Sequence, residues 1–129
     1  NEDPCIYLLP ESNIDYKVKE GYKVKLNRLY NKVLDGDFTN AEKYQKWDEL
    51  LNEIYQELKY AVNKPTEQIM TLEEIRWIDY RDYIADTIAY AKMNDAKVSE
   101  DNAELQNYRF EELATLTMVR CYELFYKFM

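Results

Sequence analysis

The chain has no histidine among its 129 residues. That absence removes serine–histidine and cysteine–histidine nucleophile pairs, histidine general bases, zincin motifs and the Glu-x-x-His sites of di-iron bundles. Cysteine is nearly as scarce, and Cys5 and Cys121 are too far apart to build a four-ligand zinc knuckle. Two glycines cannot supply a phosphate-cradling loop or a dinucleotide fingerprint. No run approaches the roughly 20 apolar residues of a transmembrane helix, so no transmembrane segment is expected. The start at Asn1 lacks a basic-then-apolar signal and reads as a mature or trimmed form. No metal or cofactor is expected either. Asp35-Gly36-Asp37 opens like a calcium loop, but the sixth position is Asn40 instead of glycine and the twelfth is Lys46 instead of glutamate.

What remains favours helix. Glu, Lys, Leu, Ala, Gln and Met fill long stretches that three prolines barely interrupt, which predicts an all-α class and, at this length, a single domain over residues 1–129. Pro4 and Pro10 make residues 1–12 an extended arm. A first helix is predicted over 14–34, where Val18, Tyr22, Leu26, Leu29 and Val33 recur at spacings of three and four before Gly36. Thr39 and Glu42 have the capping-box spacing and open a second helix over 40–62, which Asn63 and Pro65 end. Thr71 and Glu74 repeat that spacing and predict a third helix over 71–93, with Thr66 as a possible earlier turn. Ser99 caps a fourth over 100–128. Four rods with short connections predict an antiparallel four-helix bundle.

Charge is unevenly distributed. The net value is -8, yet Lys17, Lys19, Lys23, Lys25, Arg28 and Lys32 face only Glu20 in their stretch. An acidic body repels nucleic acid and steers toward cationic proteins, although like charge also serves simple solubility. The cysteines are either one bridge or two buried thiols. The bridge is the preferred reading, limiting the unfolded chain by about 4 to 5 kcal/mol in the loop-entropy model and implying an oxidising compartment.

Three charges fall on apolar helix faces. Arg81 follows Trp77 by four residues and precedes Ile84 by three, while Asp82 lies between Ile78 and Ala85. Arg120 shares a face with Leu113, Leu116, Thr117 and Leu124. A desolvated guanidinium needs acceptors, so Arg120 is expected to pair with Asp82, or failing that Asp79, as a clamp fixing the register of two helices. A binding role for the trio is the alternative. Trp47 and Trp77 are expected in the core.

Leu51-Asn52 with Tyr55, then Trp77, Tyr80, Arg81 and Asp82, then Leu116-Thr117 with Arg120 and Leu124 form an ordered set. In that set the chain resembles the LprI-type lysozyme inhibitors. The resemblance implies a bacterial extracytoplasmic helical domain, secreted, periplasmic or at the cell surface, of a kind that in some members inhibits lysozyme by direct binding. Many relatives carry one cysteine shortly after the Arg-Asp pair and another before the Leu-Thr pair, where this chain has Ala85 and Glu112 or their neighbours.

A protein-binding inhibitor with no catalysis of its own is therefore the leading expectation, its partner a basic protein such as lysozyme. The connection holding Asp95, Glu100, Asp101 and Glu104 is the expected contact region, since loops often carry binding. A structural or adhesive envelope module is a second reading, supported by thirteen tyrosines and the basic stretch. A carboxylate glycosidase is a third, because 25 acids leave a catalytic pair formally open.

Overall fold

A computed structural model of the chain describes residues 14–95 and 102–129. Among them lie four helices and no strand: α1 (Tyr16–Leu34), α2 (Asn40–Tyr60), α3 (Lys64–Asp95) and α4 (Asn102–Phe128). The expected arm, residues 1–12, is outside the described residues, as is Ser99.

Local chemistry fixes the helix ends. The Asp15 carboxylate accepts from the Lys17 amide at 2.7 Å and starts α1. Gly36, with φ at 80°, adopts the left-handed conformation that follows its last turn. At α2 both halves of the capping box form: the Glu42 amide donates to Thr39 Oγ1 at 3.2 Å, and the Thr39 amide donates to Glu42 Oε1 at 3.0 Å. Those bonds hold the Glu42 carboxyl below its ordinary pKa.

The third helix begins at Lys64, well before the Thr71 start expected from sequence. Asn63 is the cap, its side chain accepting from the Thr66 amide at 3.0 Å and its carbonyl from Glu67 at 2.9 Å. Pro65 falls in the first turn, where its missing N–H has no intrahelical partner to lose. The proline expected to end α2 thus lies in the first turn of α3, while α2 itself ends at Tyr60 with Ala61 as its cap. Thr71 is an interior residue whose hydroxyl donates back to the Glu67 carbonyl at 3.0 Å. The resulting helix of 32 residues runs about 48 Å at 1.5 Å per residue.

α4 packs along both α2 and α3, and α1 rests across α2 and α4. The core between them joins Tyr22 and Leu26 of α1 to Trp47, Leu50, Leu51, Ile54 and Leu58 of α2 and to Ala114, Cys121, Leu124 and Phe125 of α4. Burying each large aliphatic or aromatic side chain contributes about 1.5–3 kcal/mol, so this seam dominates the stability. Cys121 sits within it as a fully buried free thiol, donating to the Trp47 carbonyl at 3.4 Å, and burial pushes its pKa up. Its expected bridge partner, Cys5, lies outside the described residues. Among the described residues no helix is long and apolar enough to cross a membrane.

Candidate functional site

The charges that interrupt the apolar faces converge around one indole. On α3, Glu74, Trp77 and Arg81 follow at spacings of three and four, which puts them on one stripe. The Arg81 guanidinium carbon lies 5.3 Å from the Trp77 ring centre, and that of Arg120, from α4, lies 5.4 Å from the same ring. Arg81 is also 5.3 Å from the Tyr44 ring of α2. Two cations near one π face are each attracted to it, but their mutual repulsion requires nearby acids.

Those acids are present. Arg81 Nε donates to Asp82 Oδ1 at 3.0 Å, and its Nη1 reaches Asp48 of α2 at 3.5 Å. Arg120 Nη1 donates to Glu123 Oε1 at 2.7 Å, one turn along α4, and its Nη2 reaches Glu74 of α3 at 3.5 Å. The expected Arg120–Asp82 pair is therefore replaced: Asp82 serves its sequence neighbour Arg81, and Arg120 takes Glu74. The geometry explains the exchange, since Glu74 occupies the inward stripe with Trp77 and Arg81, whereas Asp82 stands beside it, half-exposed. Burial raises the Glu74 pKa, with Arg120 pulling the other way.

The remaining polar atoms here are less well met. Arg120 Nε and the fully buried Thr117 hydroxyl have no hydrogen-bond partner among the described residues. Burial pushes the Tyr55 phenol up to about 12. Of the other motif positions, Leu51 and Leu124 are core residues, Asn52 is exposed, and Tyr80 points to solvent. The arrangement ties α2, α3 and α4 together. Glu74, the carboxylate whose pKa is raised, is committed to Arg120 and is not a free general acid.

Sequence reasoning overlooked Glu74, Asp48, Tyr44 and Glu123. Glu74 carried a readable signal in its spacing to Trp77 and Arg81, and Glu123 carried one in its three-residue step from Arg120. Reading Glu74 as a cap concealed the first.

The acidic connection is only partly described. Glu100, Asp101 and the Asp95 side chain lie outside the described residues, while Glu104 is half-buried in the first turn of α4. Leading toward it, α3 presents an outward face on which Leu72, Ile75, Tyr80, Tyr83 and Tyr90 are each more than half exposed. Asp79 lies among them, with Asp86 nearby and held by Arg109 at 2.6 Å. Apolar residues are spread almost evenly around α3, unlike the one-sided pattern of α2. A small cleft between Asp86, Ala89, Tyr90, Leu105, Gln106 and Arg109 closes this end of the face. Among the described residues no cluster of acidic or cysteine side chains is placed to hold a metal.

Searches of curated proteins and of solved structures each gave no match. A family model described as lysozyme inhibitor LprI matches residues 38–124, a span holding the whole charge cluster, the α3 outer face and the α4 core up to Leu124. That match covers more than half of the chain, and the protein belongs to the lysozyme inhibitor LprI family.

Proposed function

We propose that the protein is an extracytoplasmic lysozyme inhibitor that acts by direct, non-covalent binding. The family match over residues 38–124 carries the reading. The net charge of -8 supports it independently, because lysozymes are basic and opposite fields raise association rates. In this reading the four helices form an antiparallel bundle held in register by the Trp77 cluster, as the pairing of Glu74 with Arg120, Asp86 with Arg109 and Lys92 with Glu112 suggests. Motif residues Arg81, Asp82 and Arg120 then have a structural role, since Arg81 is engaged by Asp48 of α2 and by its neighbour Asp82, and Arg120 by Glu74 of α3 and by Glu123.

The docking surface of this proposal is the outer face of α3 with the acidic connection that follows it, including Asp95, Glu100, Asp101 and Glu104. Exposed tyrosines supply contact area at small entropic cost, and the acids supply steering. A secreted setting also goes with a Cys5–Cys121 bridge, which would take up the thiol that is free in this structure and make the non-reduced chain lighter than the reduced one by two hydrogens. Equal masses would remove the bridge.

The test is a lysozyme cell-wall clearance assay with added protein. Dose-dependent loss of clearance that added salt relieves is the expected result. Undiminished clearance at micromolar excess would leave the second reading, an envelope interaction module, favoured by the same exposed tyrosines. Release of sugars by the protein alone would instead point to the glycosidase reading.

A further inference from the structure

Helix α1 is electrostatically opposite to the rest of the molecule. Its six cations and single acid make it +5, so the remaining residues together carry -13 of the total of -8. Within α1, Lys17, Lys25, Arg28 and Lys32 recur at helical spacing along one stripe. Lys25, Arg28 and Lys32 form one wall of a groove of about 190 Å³ between α1 and α2. Leu29 and Leu50 give it an apolar lining, and Lys46, Glu49 and Glu53 form the α2 wall.

The cations of this groove are less committed than those that tie α2, α3 and α4 together. Lys59, Arg81, Lys92, Arg109 and Arg120 each pair with a carboxylate. In the groove Lys25 is held by Glu53 at 3.3 Å, but no ion pair joins Arg28, Lys32 or Lys46 to an acid among the described residues. Four cations converge on this concavity from two helices against only two carboxylates, Glu49 and Glu53, in its wall, which leaves a local positive field. Screening confines that field to about 8 Å at physiological salt, so Glu49 and Glu53 oppose it directly while acids farther away weaken it little.

We infer that this groove is a binding site for a thin, linear chain of repeated phosphate groups. A stripe of cations running along a helix matches a linear polymer, and the Arg28 guanidinium suits bidentate contact with phosphate. The groove selects against broader anions. A duplex would carry its second strand onto the acidic remainder, and a flat lipid surface cannot follow a concavity.

The experiment is fluorescence anisotropy of an end-labelled inorganic polyphosphate titrated with the full chain at several salt concentrations. With four contacts, log K should fall with log salt at a slope of about -3, or about 60-fold between 50 and 200 mM. Replacing the four groove cations together (Lys25→Gln, Arg28→Gln, Lys32→Gln and Lys46→Gln) should weaken binding about ten-fold or more and flatten the slope, with the helical circular dichroism unchanged. Replacing three cations elsewhere (Lys64→Gln, Arg76→Gln and Lys127→Gln) should leave it within about two-fold. Duplex DNA and anionic phospholipid vesicles should bind more weakly than polyphosphate. The inference is overturned if the chain fails to bind at low salt, if the groove variant binds like the parent, or if duplex or vesicles bind as well as the linear probe.

Discussion

Removing Arg120 tests the charge cluster most severely. Its guanidinium and the Glu74 carboxylate are 13% and 11% exposed, so each loses most of its hydration on folding and depends on the other. Arg120→Leu leaves Glu74 buried without its nearest cation and removes one guanidinium from the Trp77 ring. A cost of about 3–5 kcal/mol at neutral pH follows from breaking a buried pair on one side. Glu74→Leu should cost less, about 2–3 kcal/mol, because Arg120 retains Glu123 at 2.7 Å. The double variant removes both buried charges and should fall short of the summed losses by about 1.5 kcal/mol or more. Urea unfolding followed by far-ultraviolet circular dichroism measures all three. The same cycle with Asp82→Leu in place of Glu74→Leu should couple far less, because Asp82 serves Arg81. Additive losses for Arg120 and Glu74, within about 0.5 kcal/mol, would refute direct pairing.

The cluster also sets a pH dependence. Burial raises Glu74 above its ordinary value of 4.5, so in that window the folded chain holds a proton that the unfolded chain has released. The contribution of this group to stability is therefore greatest below 4.5 and is lost as pH rises through the folded pKa. Without Arg120 the upward shift should grow, and the penalty of Arg120→Leu should shrink as the solution is acidified. A penalty that grows toward low pH would contradict the assignment.

Thr117→Val exchanges a fully buried hydroxyl without a partner for a methyl of the same shape, and should stabilise by about 1 kcal/mol in urea melts. Loss of stability would show that the hydroxyl has a partner. The two glycines should respond oppositely: Gly36→Ala, at positive φ, should cost about 1 kcal/mol, whereas Gly21→Ala, inside α1 with open space around its Cβ, should gain about 0.5–1 kcal/mol in the same melts. Tyr83→Ala with Tyr90→Ala should reduce lysozyme inhibition while leaving the melting curve unchanged within about 0.5 kcal/mol, since both rings are solvent-facing. Full inhibition by that variant would move the contact surface off α3.

Helical class and the caps at Thr39 and Gly36 were legible because each rests on one or two neighbouring residues. The start of α3 was not, because Pro65 signals both an ending and a beginning, and only the Asn63 cap bonds decide which applies. The positions of Arg81 and Arg120 on apolar faces announced a buried charge cluster, but periodicity cannot choose between Asp82 and Glu74 as the partner. That choice depends on how α3 and α4 rotate against each other, a tertiary quantity. The outer face of α3 was hidden for a related reason: apolar residues all round a helix suggest burial, and only packing shows that one side lacks a neighbour.

Isothermal titration of lysozyme with the intact protein, at low and at physiological ionic strength, confronts the account most directly. A saturable one-to-one complex that weakens as salt is added is the predicted outcome, with an acidic helical surface meeting a basic enzyme. No binding at low ionic strength, or binding indifferent to salt, would contradict it.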